Sequence, residues 1–180
     1  MKRQTEAVII GGGVIGCSIA YHLAKLGMTD VMLLERQELT SGSSWHAAGG
    51  VHGLHDTNNI ARLQYYTMNL YRELEQETGQ SVGFHQTGYL YLAQTEDRAH
   101  QLRISAAKAR QFSGIEFHEI SLEEAGKLHP FVNLDGIRMA VWESESGHVD
   151  VNGVTHAYAQ AARNRGVSIE RFCPVLETNP

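Results

Sequence analysis

Apolar residues recur along this chain with two different periods, and each period predicts an element. Ala7-Val8-Ile9-Ile10 is an unbroken apolar run ending in glycines, which reads as a parallel strand buried on both faces. Over residues 14–26, Ile15, Ile19, Leu23 and Leu26 fall at helical spacing, and Gly27 is the expected stop. Val31–Leu34 is a second apolar run, closed by Glu35. Strand, helix and strand within about 30 residues make a minimal parallel crossover.

The pattern then changes. Residues 37–59 are rich in Gly, Ser, Thr, His and Asn with little periodicity; a loop that long inside a compact domain is either functional or disordered. Helical spacing returns over 60–78, with Leu63, Tyr66, Leu70 and Leu74, and Gly79 closes it. Residues 83–93 read as strands kinked at Gly88, with Tyr89-Leu90-Tyr91-Leu92 as the β-rich part. Residues 95–113 predict a surface-lying helix carrying Asp97, Arg98, Arg103, Lys108 and Arg110. A strand is expected over 115–120, and a short helix over 121–128 opened by a Ser121/Glu124 capping box and ended by Pro130. A strand at 137–141, a turn-rich stretch at 143–150, a helix at 153–165 capped by Asp150 or Asn152, and a last strand at 167–172 complete the chain. No internal repeat or low-complexity tract interrupts this order. The fold class is therefore α/β: a Rossmann-like domain, with a parallel sheet built on βαβ, interrupted by a strand-rich α+β insert.

Composition narrows the function classes. The 180 residues are 42% hydrophobic and 19% charged, which is globular. A net charge of −5, with no basic run among aromatics, argues against nucleic-acid binding. No stretch approaches the roughly 20 apolar residues of a membrane span. Met1-Lys2-Arg3-Gln4 leads almost directly into the first strand without a signal-peptide core, so the chain reads as cytoplasmic or as an already processed mature chain. Cys17 and Cys173 form no CxxC pair, in keeping with a reducing compartment. The end at Asn179-Pro180, without a terminal helix, reads as a cut in a longer protein.

Between first strand and first helix, Gly11-Gly12-Gly13-Val14-Ile15-Gly16 matches G-x-G-x-x-G. Gly11 permits the tight turn, Gly13 lets the backbone approach a pyrophosphate, and Gly16 lets helix and strand pack closely. The free N–H groups of Val14 and Ile15 at the helix start then face the phosphates. Glu35, about 20 residues on, is placed to accept hydrogen bonds from ribose hydroxyls, with Arg36 beside it. That carboxylate would repel a 2′-phosphate, which disfavours NADP, but the motif does not separate NAD from FAD. A purely structural turn is the alternative. Cys17, just inside the helix, is either a small packing residue or a thiol of lowered pKa.

The loop Leu39-Thr40-Ser41-Gly42-Ser43-Ser44-Trp45-His46-Ala47-Ala48-Gly49-Gly50 combines small residues, hydroxyls and one imidazole. Small side chains such as Ala48 and Gly49 admit a flat ligand, and Ser43 and Ser44 can bind phosphate or ribityl oxygens. His46 can serve as a nucleophile, base or ligand. His46, His52 and His55 with Asp56 match no common zinc spacing, so no metal is expected.

These segments, together with Ala20-Tyr21-His22-Leu23-Ala24-Lys25-Leu26-Gly27, Leu33-Leu34-Glu35, Leu74-Glu75-Gln76-Glu77-Thr78-Gly79, Gln86-Thr87-Gly88 and Gly147-His148-Val149-Asp150, resemble the N-terminal part of the sarcosine and dimethylglycine dehydrogenases. Those enzymes sit within the wider D-amino-acid-oxidase-like flavoproteins. The Ser-Ser-Trp-His-Ala-Ala-Gly segment is the specific part. The resemblance implies FAD, attached at its 8α carbon to His46, with Trp45 beside it and Val175 touching the adenine. It assigns 1–80 and 150–180 to the FAD-binding domain and 81–149 to the start of a substrate domain. It further implies oxidative N-demethylation of a small methylated amine, with hydride passing to flavin N5. The one-carbon unit is released or passed to tetrahydrofolate, with electron-transfer flavoprotein or oxygen as acceptor. The matrix of a mitochondrion is the location implied for a processed eukaryotic chain. The family's folate-binding region is not among these residues, and no catalytic base is assigned. Competing readings are another FAD-dependent amine or amino-acid oxidase, an NAD-dependent dehydrogenase, and a non-catalytic regulatory subunit similar to the same enzymes but without the Trp-His pair.

Overall fold

The computed structural model describes residues 4–55 and 57–178; Met1–Arg3, Asp56 and the Asn179-Pro180 end lie outside the described residues. In chain order the elements are β1 (Ala7–Ile10), α1 (Val14–Lys25), β2 (Val31–Leu34), a 3-10 turn (Ser44–His46), β3 (Gly50–Val51) and α2 (Asn58–Thr78). They continue with β4 (Tyr89–Ala93), α3 (Glu96–Ser113), β5 (His118–Ile120), α4 (Leu122–Leu128), β6 (Met139–Glu143), β7 (Gly147–His148), α5 (Val151–Asn164) and β8 (Ser168–Glu170). The chain divides into two compact units, one of Met1–Gly49, Tyr71–Phe84 and Val149–Pro180, the other of Gly50–Leu70 and His85–His148.

In the first unit β1, β2 and β8 form a parallel sheet in that order. Ala7 lies opposite Val31 and Ile10 opposite Leu34, so the predicted βαβ crossover is present in register. α1 packs against α5, and both bury small residues, Cys17, Ala20 and Ala24 on one and Gly153, Ala157 and Ala161 on the other. Small side chains let two helix backbones approach closely, and Tyr21 and Tyr158 fill the remaining space with ring centroids 5.6 Å apart. Asp150, rather than Asn152, is the cap of α5, its side chain accepting from the Asn152 N–H at 2.9 Å.

The second unit holds an antiparallel sheet ordered β4-β6-β5, with Tyr89 opposite Glu143 and His118 opposite Trp142. β3 and β7 form a separate antiparallel pair, Gly50 opposite His148. Both of these short strands fall in stretches whose sequence reads only as loop or turn. α3 lies on the surface as expected, most of its residues being exposed, and turns one face, Ala99, Leu102 and Ala109, toward Met68, Ala93, Ile115, Phe117, Met139 and Val141. Its charged residues mask an apolar stripe at 99, 102, 106 and 109, which is helical spacing. Thr95 caps it, and Gly114, left-handed at φ 76°, ends it. The capping box of α4 forms as the sequence predicts. β6 starts two residues later than its apolar run, because pairing begins where Met139 meets Ala93. Among the described residues no helix is long and apolar enough to cross a membrane.

Leu102 is 1% exposed in the centre of the second unit's core. Leu102→Ala is expected to remove about 2–5 kcal/mol of stability, read as a lowered midpoint in urea unfolding; an unchanged midpoint would contradict the burial of that face of α3.

Candidate functional site

The glycine turn leaves the sheet where the Gly11 N–H donates to the Leu34 carbonyl at 2.8 Å. Gly11 adopts φ 107°, a conformation that only glycine takes at little cost. A Cβ on Gly16 would lie 2.0 Å from the Gly11 carbonyl oxygen, so helix and turn touch backbone to backbone. A Cβ on Gly13, the cap of α1, would lie 2.9 Å from Ser44 Oγ. The middle glycine, to which the motif gives no role, is as restricted: a Cβ on Gly12 would meet Leu39 Cδ2 at 2.5 Å and Glu35 Cβ at 2.9 Å.

Glu35 is 8% exposed. One carboxylate oxygen accepts from the Gly12 N–H at 2.6 Å and the other from the Gln37 N–H at 2.8 Å. The side chain expected to hold a ribose thus first clamps the turn itself, and each oxygen keeps a further lone pair for a ligand. Thr40 adds a second tether, its N–H donating to the Gly12 carbonyl at 3.1 Å. It does so from φ 71°, a left-handed conformation unusual for a β-branched residue. The chain then doubles back, and Ser44 Oγ accepts the N–H of Val14 at 2.9 Å, at the start of α1.

Two cavities flank this turn. One, of about 430 Å³, is lined by Gly11, Gly13, Val14, Ile15, Gly16, Glu35, Arg36, Ser43 and Ser44, together with Ile9, Ile10, Ile19, Ser41 and Gly42. The other, of about 220 Å³, is lined by Ile10, Gly11, Leu34, Glu35, Arg36, Cys173, Pro174 and Val175. Glu35 and Arg36 belong to both. A helix start beside a glycine turn suits a pyrophosphate, and the small apolar cavity suits a flat base. The residues present therefore fit the ADP half of a dinucleotide. Cys173 and Pro174 have no signal of their own in the sequence, since only the fold brings them to the turn; Leu39 and Thr40 stand in the histidine loop without an assigned role, and Gly12 is visible in the triple glycine.

Ser44, Trp45 and His46 form the 3-10 turn, closed by His46 N–H to the Ser43 carbonyl and Ala47 N–H to the Ser44 carbonyl, both at 3.2 Å. Trp45 and His46 are solvent-exposed, with ring centroids 4.0 Å apart and planes tilted by 38°. Ala48 is exposed and Gly49 half-buried; neither they nor Trp45 and His46 line the two cavities. Gly49 is pinned by the Val149 N–H donating to its carbonyl at 2.9 Å. Cys17 is fully buried, and burial pushes its thiol up to about 12, against the pull of Arg163. That corrects the lowered-pKa alternative: the thiol is a packing group, directed at the Gly12 carbonyl 3.7 Å away. The His55 ring accepts from the Thr57 N–H, and among the described residues no three His, Cys, Asp or Glu side chains gather as a metal site.

A family model described as FAD dependent oxidoreductase matches residues 6–179. The chain is 42% identical over 179 residues to the mitochondrial dimethylglycine dehydrogenase of Rattus norvegicus, covering 99% of this chain and 21% of that protein. It is 37% identical over 176 residues to the mitochondrial sarcosine dehydrogenase of Homo sapiens, covering 97% and 19%. It thus spans about one fifth of the length of these relatives. Among solved structures, L-proline dehydrogenase from P. horikoshii superimposes with a TM-score of 0.87 at 27% identity, covering 96% of this chain and 45% of that one.

Thiol alkylation at pH 8 followed by peptide mass mapping is expected to leave Cys17 unlabelled in the native protein, while the half-buried Cys173 reacts. Equal labelling rates would contradict the packing role of Cys17. Gly16→Ala forces the turn away from α1 and is expected to cost about 1–3 kcal/mol, measured by urea unfolding.

Proposed function

The chain belongs to the family of FAD dependent oxidoreductases, and from that premise we propose that it is the FAD-binding N-terminal part of an enzyme that demethylates sarcosine, dimethylglycine or a similar small N-methyl amine. The observation that carries this reading is the Trp45-His46 pair, held in a 3-10 turn whose first residue, Ser44, is hydrogen-bonded to the start of α1. The similarity to dimethylglycine and sarcosine dehydrogenases over nearly the whole chain supports it.

FAD, when bound, supplies the two-electron acceptor for the hydride of the N-methyl carbon. The chain's own residues then have distinct tasks. Gly11, Gly13, Val14, Ile15 and Gly16 hold the pyrophosphate, assisted by Ser43 and Ser44. Glu35 and Arg36 take the ribose, and Val175 the adenine. Ala48 and Gly49 leave room for the ring. His46 would hold the flavin covalently, its neutral imidazole supplying the nucleophilic nitrogen. The tilted contact with the Trp45 ring limits the orientations open to that imidazole. The unit carrying the glycine turn takes the FAD-domain role and the other unit begins the substrate domain. Oxygen or an electron-transfer flavoprotein serves as acceptor, and tetrahydrofolate as a possible one-carbon acceptor belongs to the longer protein. The mitochondrial relatives favour the matrix over the cytoplasm. No catalytic base is assigned within these residues. The intact Trp45-His46 pair speaks against a non-catalytic regulatory subunit.

The full-length protein is expected to give a flavin-fluorescent band on a denaturing gel after acid precipitation, and His46→Ala to lose it. A dark wild-type band with yellow supernatant would remove the covalent link; no flavin in either fraction would remove the cofactor. Turnover is expected with sarcosine or dimethylglycine, and inactivity on both would sink the substrate assignment.

A further inference from the structure

Within the second unit two histidines face each other across neighbouring chain segments. His85 and His148 form an isolated antiparallel bridge, in which each main-chain N–H donates to the other's carbonyl, at 2.8 Å and 3.1 Å. Residues paired in this way put their side chains on one face, with Cα atoms about 5.5 Å apart. The two rings accordingly stack, with centroids 5.1 Å apart and planes inclined by 28°. Both residues are exposed, and among the described residues neither ring makes a hydrogen bond. The backbone beneath them is fixed from several sides. β7 pairs His148 with Gly50, and the Gly88 N–H donates to the Ser146 carbonyl at 2.9 Å. Gly147 admits no side chain, because a Cβ there would lie 2.0 Å from the His85 carbonyl oxygen.

Two neutral imidazoles held side by side at the surface are a chelating pair. A cation such as Zn²⁺ keeps its nitrogen ligands at about 2.0–2.1 Å, which sets two of them about 3 Å from each other. Rings whose centroids are 5.1 Å apart reach that separation by turning about their own side-chain bonds, with the bridge unchanged. Because the backbone has already brought both ligands together, the second nitrogen binds at little further cost in chain entropy. Imidazole suits nickel, copper and zinc, whereas magnesium and calcium take oxygen ligands. Among the described residues no three His, Cys, Asp or Glu side chains gather, so water fills the remaining positions and the site is open to solvent.

We propose that His85 and His148 form a site for a divalent transition cation of the nickel, copper and zinc group, bound through one nitrogen of each ring and otherwise by water. A cation there braces β7 against the segment that carries His85. The site lies wholly within the second unit and is independent of the flavin reading.

The test titrates Zn²⁺ by calorimetry into the untagged full-length protein, stripped with a chelator and kept in excess Mg²⁺ to occupy carboxylates. His85→Ala and His148→Ala are each expected to weaken Zn²⁺ binding at least tenfold. His100→Ala, which removes an exposed histidine of α3, is expected to leave the affinity within twofold. His148→Cys, which abolishes the ring stack but supplies a zinc-binding thiolate, is expected to keep it within threefold. With Cu²⁺ as the probe, the electron paramagnetic resonance spectrum is expected to show two coordinated nitrogens in the wild type and one in each alanine variant. Zn²⁺ is also expected to raise the thermal midpoint of the wild type and not that of the alanine variants, since a ligand of the folded state alone stabilises it. Absence of Zn²⁺ binding to the wild type overturns the proposal, as does equal affinity in the wild type and both alanine variants. Loss of binding in His148→Cys equal to that in His148→Ala also counts against ligation at residue 148.

Discussion

A carboxylate taken out of water is tolerated only if its oxygens find donors, and those of Glu35 find them in the N–H groups of Gly12 and Gln37. Hydrogen bonds to a charged group contribute about 1.5–3 kcal/mol each, so this pair holds the glycine turn against the end of β2. Gly12 leaves room for nothing larger there. The turn's shape then dictates the direction of α1 and the proximity of Gly16 to Gly11. The geometry of the turn is therefore a property of the folded chain itself, with Glu35 as its clamp.

The same turn organises the loop that follows. Thr40 accepts an unfavourable left-handed conformation in order to donate to the Gly12 carbonyl; strain of this kind persists where the surroundings over-determine it, and it collects at functional sites. Its effect is to send the chain back so that Ser44 meets the Val14 N–H. An orphan donor at the helix start is satisfied, and the Trp45-His46 turn is tied to the phosphate site by one hydrogen bond. The glycine turn and the Trp45-His46 turn are linked in this chain through Ser44.

Buried carboxylates recur as organisers. Glu35 orders the first unit's turn through main-chain amides, and Glu143 does the same for the turn at the end of β6. In each case the acceptor is a side chain and the donors are amides that sheet or helix pairing leaves free. This satisfies backbone groups which irregular segments would otherwise bury unpaired.

Local pattern was enough for the elements whose partners are close in sequence. The glycine turn, the capping box at Ser121 and the stop glycines depend on residues within one or two turns of each other, and the βαβ crossover on runs within about 30 residues; the sequence alone determined them. It also carried the family resemblance, because Ser44-Trp45-His46 is contiguous. Tertiary structure decided the rest. The pairing of β3 with β7 joins residues almost a hundred positions apart, so neither short strand has a periodicity to read. Which face of α3 is buried came from an apolar stripe diluted by charges, evident once the sheet beneath it was in place. The clamp by Glu35, the high thiol pKa of Cys17, the presence of Cys173 and Pro174 beside Val175, and the isolation of Glu143 from water depend on which distant backbone comes near. Propensity and spacing act over a few residues, whereas desolvation and hydrogen-bond donation act across space, and only the folded chain brings those distant groups together.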